Sequence, residues 1–224
     1  MISVLSAFIA LVVLAWGFDV AALDRGAVSL PWRVYEQGLY LSGLLAIGMM
    51  SLTMVVSMRP ALLVRRLGGA GPLFRLHRWA GTLAAVFAAL HWLIEMADDL
   101  VEAVFGEAGE PGEPAFGGFY EMLREAGEEI GEFVIYLLLA MVVLSLWKRF
   151  PRKIWRPLHR AMPLLYLLLA FHAAVLAPPT YWTQPVGLLL ATLLASGSVA
   201  AAISINGWIG RDRRASPSRL APHA

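Results

Sequence analysis

At 224 residues the chain has room for one or two domains, and its formal net charge is only +2. Hydrophobic residues make up 59% and charged residues 15%, where an ordinary soluble domain carries about 25% charged, so the expected solvent is a bilayer rather than water. The chain has no cysteine, which excludes disulfides, iron–sulfur clusters and any thiolate-ligated metal group and leaves His or Met as soft ligands.

The charges cluster, and several apolar runs of 17 to 25 residues lie between the clusters. Such a run crosses a hydrocarbon core of ~30 Å as a helix. The first covers residues 2–18 and lacks the positive lead-in of a signal peptide, so a first membrane helix is expected there. After a short polar connection, Pro31 and Trp32 suit a helix start at the interface, and a second run covers residues 34–58. Residues 59–75 hold Arg59, Arg65, Arg66 and Arg75 without an acid, and Gly68, Gly69, Gly71 and Pro72 predict a break in helix there. The third run, 73–97, contains His77 and His91. From Glu95 to Glu132 there are twelve acids and one base, Arg124. Gly and Pro between Gly106 and Gly118 predict a flexible loop, and residues 121–132 read as a polar helical lead-in to a fourth run, 133–147. Lys148, Arg149, Arg152, Lys153 and Arg156 form a second basic loop. The fifth run, 157–176, carries His159 and His172; Pro178 and Pro179 end it, and Tyr181 and Trp182 read as an interface anchor. The sixth run is 185–205, ahead of a basic tail with Arg211, Arg213, Arg214 and Arg219.

Positive residues stay on the cytoplasmic side. The basic loops after the second and fourth runs and the basic tail are therefore cytoplasmic, and the acidic segment faces outward. The expected fold is an all-α integral membrane protein: a six-helix bundle with both termini cytoplasmic, residues 1–210 forming the membrane domain and 211–224 a Ser/Pro-containing tail.

Four of the five histidines lie in the third and fifth runs; the fifth, His223, lies in the tail. His91 follows His77 by 14 positions and His172 follows His159 by 13, which separates each pair by roughly 20 Å along a helix axis. Both runs point outward, so His77 and His159 share the cytoplasmic level and His91 and His172 the outer level. Two levels, each with one imidazole from each helix, are what two stacked bis-histidine b-type haems require. The spacing carries one tension. At about 100° per residue, 14 positions return near the starting face, but 13 miss it by ~140°. Pro163, between His159 and His172, predicts a distortion that corrects the phase. Arg78 and Arg160 each follow a cytoplasmic-level histidine and are candidates to pair with haem propionates. Glu95 reads as a helix end, and Phe87, Tyr166 and Phe171 as packing between or beside the levels. A transition-metal or proton transporter using the same histidines is the rival, and it would place acids or methionines beside them.

Leu76-His77-Arg78 with His91, Trp155-Arg156-Pro157-Leu158-His159-Arg160 with His172, and the exit Asn206-Gly207-Trp208-Ile209-Gly210-Arg211 together resemble the ferric reductase-like transmembrane domain family, which includes NADPH oxidases, ferric reductases and the haem subunit of periplasmic methionine sulfoxide reductase systems. The resemblance runs from about residue 34 to 214. It implies two b haems between the third and fifth helices, in a bacterial inner membrane. It also implies electron flow from a cytoplasmic flavin and NAD(P)H donor to an external acceptor: ferric iron, dioxygen or a periplasmic partner. Family members often continue into a flavin- and nicotinamide-binding domain. No such pattern follows here, so FAD or FMN and NAD(P)H are expected only through a partner flavoprotein or a missing domain. Membrane lipid is the other expected partner, and no nucleic acid is.

Overall fold

The computed structural model describes residues 2–22, 28–108, 117–147 and 149–215. It is helical, with no strand among the described residues. The elements are α1 (Ile2–Ala22), α2 (Leu30–Ser57), α3 (Ala61–Arg66), α4 (Ala70–Glu95), α5 (Asp98–Phe105), α6 (Phe119–Leu146), α7 (Arg152–Arg160), α8 (Met162–Leu176), a 3-10 turn (Pro179–Thr183) and α9 (Pro185–Ala215). His223 and the end of the basic tail lie outside the described residues, as does most of the Gly/Pro-rich middle of the acidic segment.

Among the described residues, four spans are long and apolar enough to cross a membrane: α1, α2, α7 with α8 taken together, and Pro185–Trp208 within α9. A fifth is α4 with α5, bent by 43° at their junction. The 28-residue α6 is long enough, but Glu121, Glu125, Glu128, Glu129 and Glu132 occupy its first half. The acidic lead-in and the fourth apolar run are therefore one helix. α4 starts earlier than the glycines suggest. Gly68 and Gly69, at φ 79° and 120°, make the break. Pro72 then falls in the first turn, where its missing N–H has no intrahelical acceptor to lose. The chain crosses the membrane more than once and is an integral multi-pass membrane protein.

α2 is the axis of the bundle. It packs against α1, α4, α8 and α9, and 61% of its most apolar window is buried against other helices, compared with 17% for α1. In lipid there is no hydrophobic gain from helix–helix contact, so close packing and small residues drive it. Gly38 lies against Ile94, Gly48 against Phe8 and Leu193, and Gly81 of α4 against Thr53 of α2. Ala80, Ala84 and Ala85 continue the small face of α4. α6 packs on both α4 and α8. His77 and His91 lie on α4, His159 at the end of α7 and His172 on α8; α4 and α8 have little contact with each other, with α2 on one side and α6 on the other holding them apart.

Candidate functional site

The rings of His77 and His159 have centres 6.1 Å apart with planes at 90°, and those of His91 and His172 are 6.3 Å apart at 83°. An imidazole nitrogen bonds a first-row metal at ~2 Å and lies ~1 Å from its ring centre, so a metal between two facing rings sets their centres about 6 Å apart. Both pairs meet that separation. Among the described residues no cluster of three or more His, Asp or Glu could hold a metal ion. Two imidazoles alone are too few for a bare transition metal, which takes about four ligands, but they suffice for a metal that brings its own equatorial nitrogens.

Three of the four rings are oriented by backbone. The Nδ1 of His91 is 3.0 Å from the Leu39 carbonyl and 3.4 Å from the Ser42 hydroxyl. The Nδ1 of His172 is 2.8 Å from the Gly127 carbonyl, and that of His77 is 3.3 Å from the Thr53 carbonyl. A carbonyl only accepts, so each Nδ1 carries the proton and each Nε2 keeps a free lone pair. This is the arrangement that metal-ligating histidines adopt, with the second nitrogen donating to a carbonyl or carboxylate. The residues present therefore fit two bis-histidine groups.

Gly127 and Gly131 form a G-x-x-x-G on α6, a close-approach pattern for membrane helices. A Cβ at Gly131 would run into the His172 ring, and one at Gly127 into Val175. On α2, a Cβ at Gly43 would lie 3.0 Å from Cε1 and 3.1 Å from Nδ1 of His91. The end of α8 is fixed as well. The Tyr120 hydroxyl at 3.2 Å and the Arg124 guanidinium at 3.1 Å both donate to the Val175 carbonyl, one of the last-turn acceptors that an isolated helix leaves unmet.

The helix breaks next to the predicted position, and the extra winding there recovers only part of the ~140° that 13 positions lack. The chain breaks at Ala161, between α7 and α8, with Pro163 in the first turn of α8. The Ala161 N–H bonds the Leu158 carbonyl and the Leu164 N–H bonds the Ala161 carbonyl, each at 2.9 Å. This i→i−3 bonding winds the chain at about 120° per residue, adding rotation in the sense that 13 positions lack. Pro163 removes a donor and crowds the carbonyl four residues back, which is that of His159.

Between the levels, Tyr166 is fully buried. Its hydroxyl lies 2.9 Å from the Ser51 hydroxyl and 3.3 Å from the Leu193 carbonyl, joining α2, α8 and α9. Arg78 and Arg160 are exposed, one position after the histidines of the His77–His159 pair. Glu95 is the exposed last residue of α4. Tyr181 departs from its reading as an interface anchor: it is 3% exposed, while Trp182 is 47% exposed. The sequence reading also passed over Leu39, Ser42, Thr53, Gly43, Gly127 and Gly131. Of these, only the paired glycines inside an otherwise acidic helix carried a visible signal.

The family of ferric reductase like transmembrane components matches residues 42–170. The chain belongs to that family. The match spans more than half of the chain and takes in His77, His91 and His159; His172 lies two positions past its end. No individual curated protein and no solved structure matches the chain. In general terms, membership assigns this ferric reductase-like chain to transmembrane electron transfer by an oxidoreductase, in a family that usually binds haem.

Proposed function

We propose that the chain conducts electrons outward across a bacterial inner membrane on two b-type haems. His77 and His159 would hold the cytoplasmic one, and His91 and His172 the outer one. The observation that carries this reading is the pair of facing imidazole couples, each about 6 Å between ring centres, with α4 on one side and the broken α7–α8 segment on the other. When bound, each haem supplies a one-electron couple, which no side chain of this chain offers. The protein's own work is to fix tautomer and ring plane through the carbonyls of Leu39, Thr53 and Gly127 and to keep the slot narrow through Gly43 and Gly131. The exposed guanidiniums of Arg78 and Arg160 suit charge-assisted bonds to propionates at the cytoplasmic level.

In this reading α6 is the sixth crossing and both termini are cytoplasmic. The donor is a cytoplasmic flavoprotein drawing on NAD(P)H, and the acceptor is ferric iron, dioxygen or a periplasmic protein. An inside-negative potential favours outward electron movement by up to ~2.3 kcal/mol per 100 mV for a full crossing.

The test is a visible spectrum of the detergent-purified chain, oxidised and dithionite-reduced, with haem per chain by pyridine haemochrome. Two haems per chain, each lost with its own histidine pair, is the expected result. No haem, from cells amply supplied with it, overturns the proposal and leaves a transporter using the histidines.

A further inference from the structure

His159 is held differently from its three counterparts. Among the described residues its ring has no hydrogen-bond acceptor on Nδ1, and it is exposed, whereas the other three rings are half-buried. What it has is Trp155. The two rings stack with centres 5.1 Å apart and planes 21° from parallel. Trp155 lies four positions earlier on α7, where i and i+4 side chains meet on one face. The stack is therefore set by local sequence and needs no other helix.

We propose that Trp155 is the positioning residue of the cytoplasmic pair: its indole face fixes the plane of the His159 imidazole, as backbone carbonyls fix the other three. The inference rests on the haem reading. The need for such a device follows from the chain just beyond. α7 ends at Arg160, the helix breaks at Ala161, and Pro163 crowds the His159 carbonyl. Backbone support on the C-terminal side of His159 is thus weakened where a ligand must be held steady. A ring on one face restricts rotation about χ2. Because Trp155 lies nearly parallel to His159, it also sets the perpendicular angle of His159 to His77. The stack does not polarise Nδ1–H as a carbonyl would, so His159 is the less basic ligand of its pair.

The alternative is that Trp155 is only an interfacial tryptophan, as its place beside a basic loop suggests. The two roles separate in full-length protein carrying Trp155→Leu or Trp155→Phe, with the outer pair of the same molecule as internal control. The readouts are haem per chain, low-spin electron paramagnetic resonance and potentiometric titration, the cytoplasmic signal being the one that His77→Ala lacks. With Trp155→Leu we expect the cytoplasmic signal to broaden and shift, and affinity at that level to fall by about tenfold, the low end for lost outer-shell partners. The outer signal stays as in wild type, and Trp155→Phe, which keeps a stacking face, restores the cytoplasmic one. A cytoplasmic signal and potential unchanged in Trp155→Leu overturns the proposal, as does a parallel loss at both levels, which would mark a role in insertion alone. A wild-type chain without haem instead removes the haem reading, and this inference with it.

Discussion

The His91–His172 and His77–His159 pairs, outer and cytoplasmic in the proposed orientation, differ in what holds them. At the outer level both rings donate to carbonyls of neighbouring helices, Leu39 on α2 and Gly127 on α6, and both press on glycines, Gly43 and Gly131. At the cytoplasmic level, among the described residues, His77 alone reaches a carbonyl, at 3.3 Å, and His159 leans on Trp155 of its own helix. The outer seat is built by tertiary packing, while the cytoplasmic seat is half built by local sequence beside a helix break. A stronger Nδ1–H···O bond makes a more basic ligand, so with the proposed haems bound the outer pair would be the better donor to iron. Equal ligand chemistry at the two levels thus conceals unequal support.

The sharpest way to break this contrast is Gly131→Ala. The added methyl would run into the His172 ring, and the helix backbone on which it sits gives little. We expect the outer haem to be lost, with affinity down on the order of 10–100-fold, and the cytoplasmic haem retained, read as one haem per chain by pyridine haemochrome. Loss of both would mean that α6 supports the whole bundle rather than one level.

Gly43→Ala tests the other side of the same seat and should cost less. Its methyl would lie 3.0 Å from His91 Cε1, which a shift of a few tenths of an ångström relieves. The expected outcome is an outer haem that stays bound, with its resonance signal and midpoint potential displaced. An outer haem lost as completely as with Gly131→Ala would show that both rings are equally confined.

The difference between the levels also explains what sequence could and could not reveal. The helices were legible because lipid demands long apolar runs, and the histidine levels because four histidines at spacings of 14 and 13 leave few other arrangements. The break near Pro163 followed from the phase of those spacings. The outer seat was hidden because its acceptors are main-chain carbonyls, which every residue has, so nothing marks Leu39 or Gly127. α5 was hidden because it lies in the short acidic stretch between the third run and the Gly/Pro loop, too short and too charged to mark an element of its own. Its end is held by the Trp32 indole donating to the Gly106 carbonyl at 2.9 Å, a contact across 74 positions. Trp155 was visible as part of the motif around His159, but an interfacial tryptophan and a stacking one look alike without the neighbouring ring.

Between the levels, Tyr166→Phe keeps the ring and removes the hydroxyl. Ser51 retains its bond to the Ile47 carbonyl at 2.8 Å, while Ser198 loses the Tyr166 hydroxyl as a side-chain partner. A net loss of about 0.5–1.5 kcal/mol is expected, seen as a lower unfolding midpoint in detergent with both haems still bound. An unequal loss of haem would make Tyr166 a part of one seat.

Tyr181→Phe should have the smallest effect, and of opposite sign. Among the described residues the buried Tyr181 hydroxyl has no hydrogen-bond partner. Burial, with the charges of Asp19 and Glu36 nearby, pushes the phenol well above its ordinary value, so it stays protonated and its donor stays unmet at any working pH. The ring itself packs edge-on against Tyr40 at 6.1 Å between centres, and phenylalanine preserves that contact. Removing an unsatisfied buried hydroxyl while keeping its shape is neutral to stabilising, so the unfolding midpoint should hold or rise slightly, with both haem signals unchanged. A clear drop would place a water or a ligand on that hydroxyl. The packing around Tyr40 would then include a polar chamber near Asp19 and Glu36, not only an edge-on ring contact.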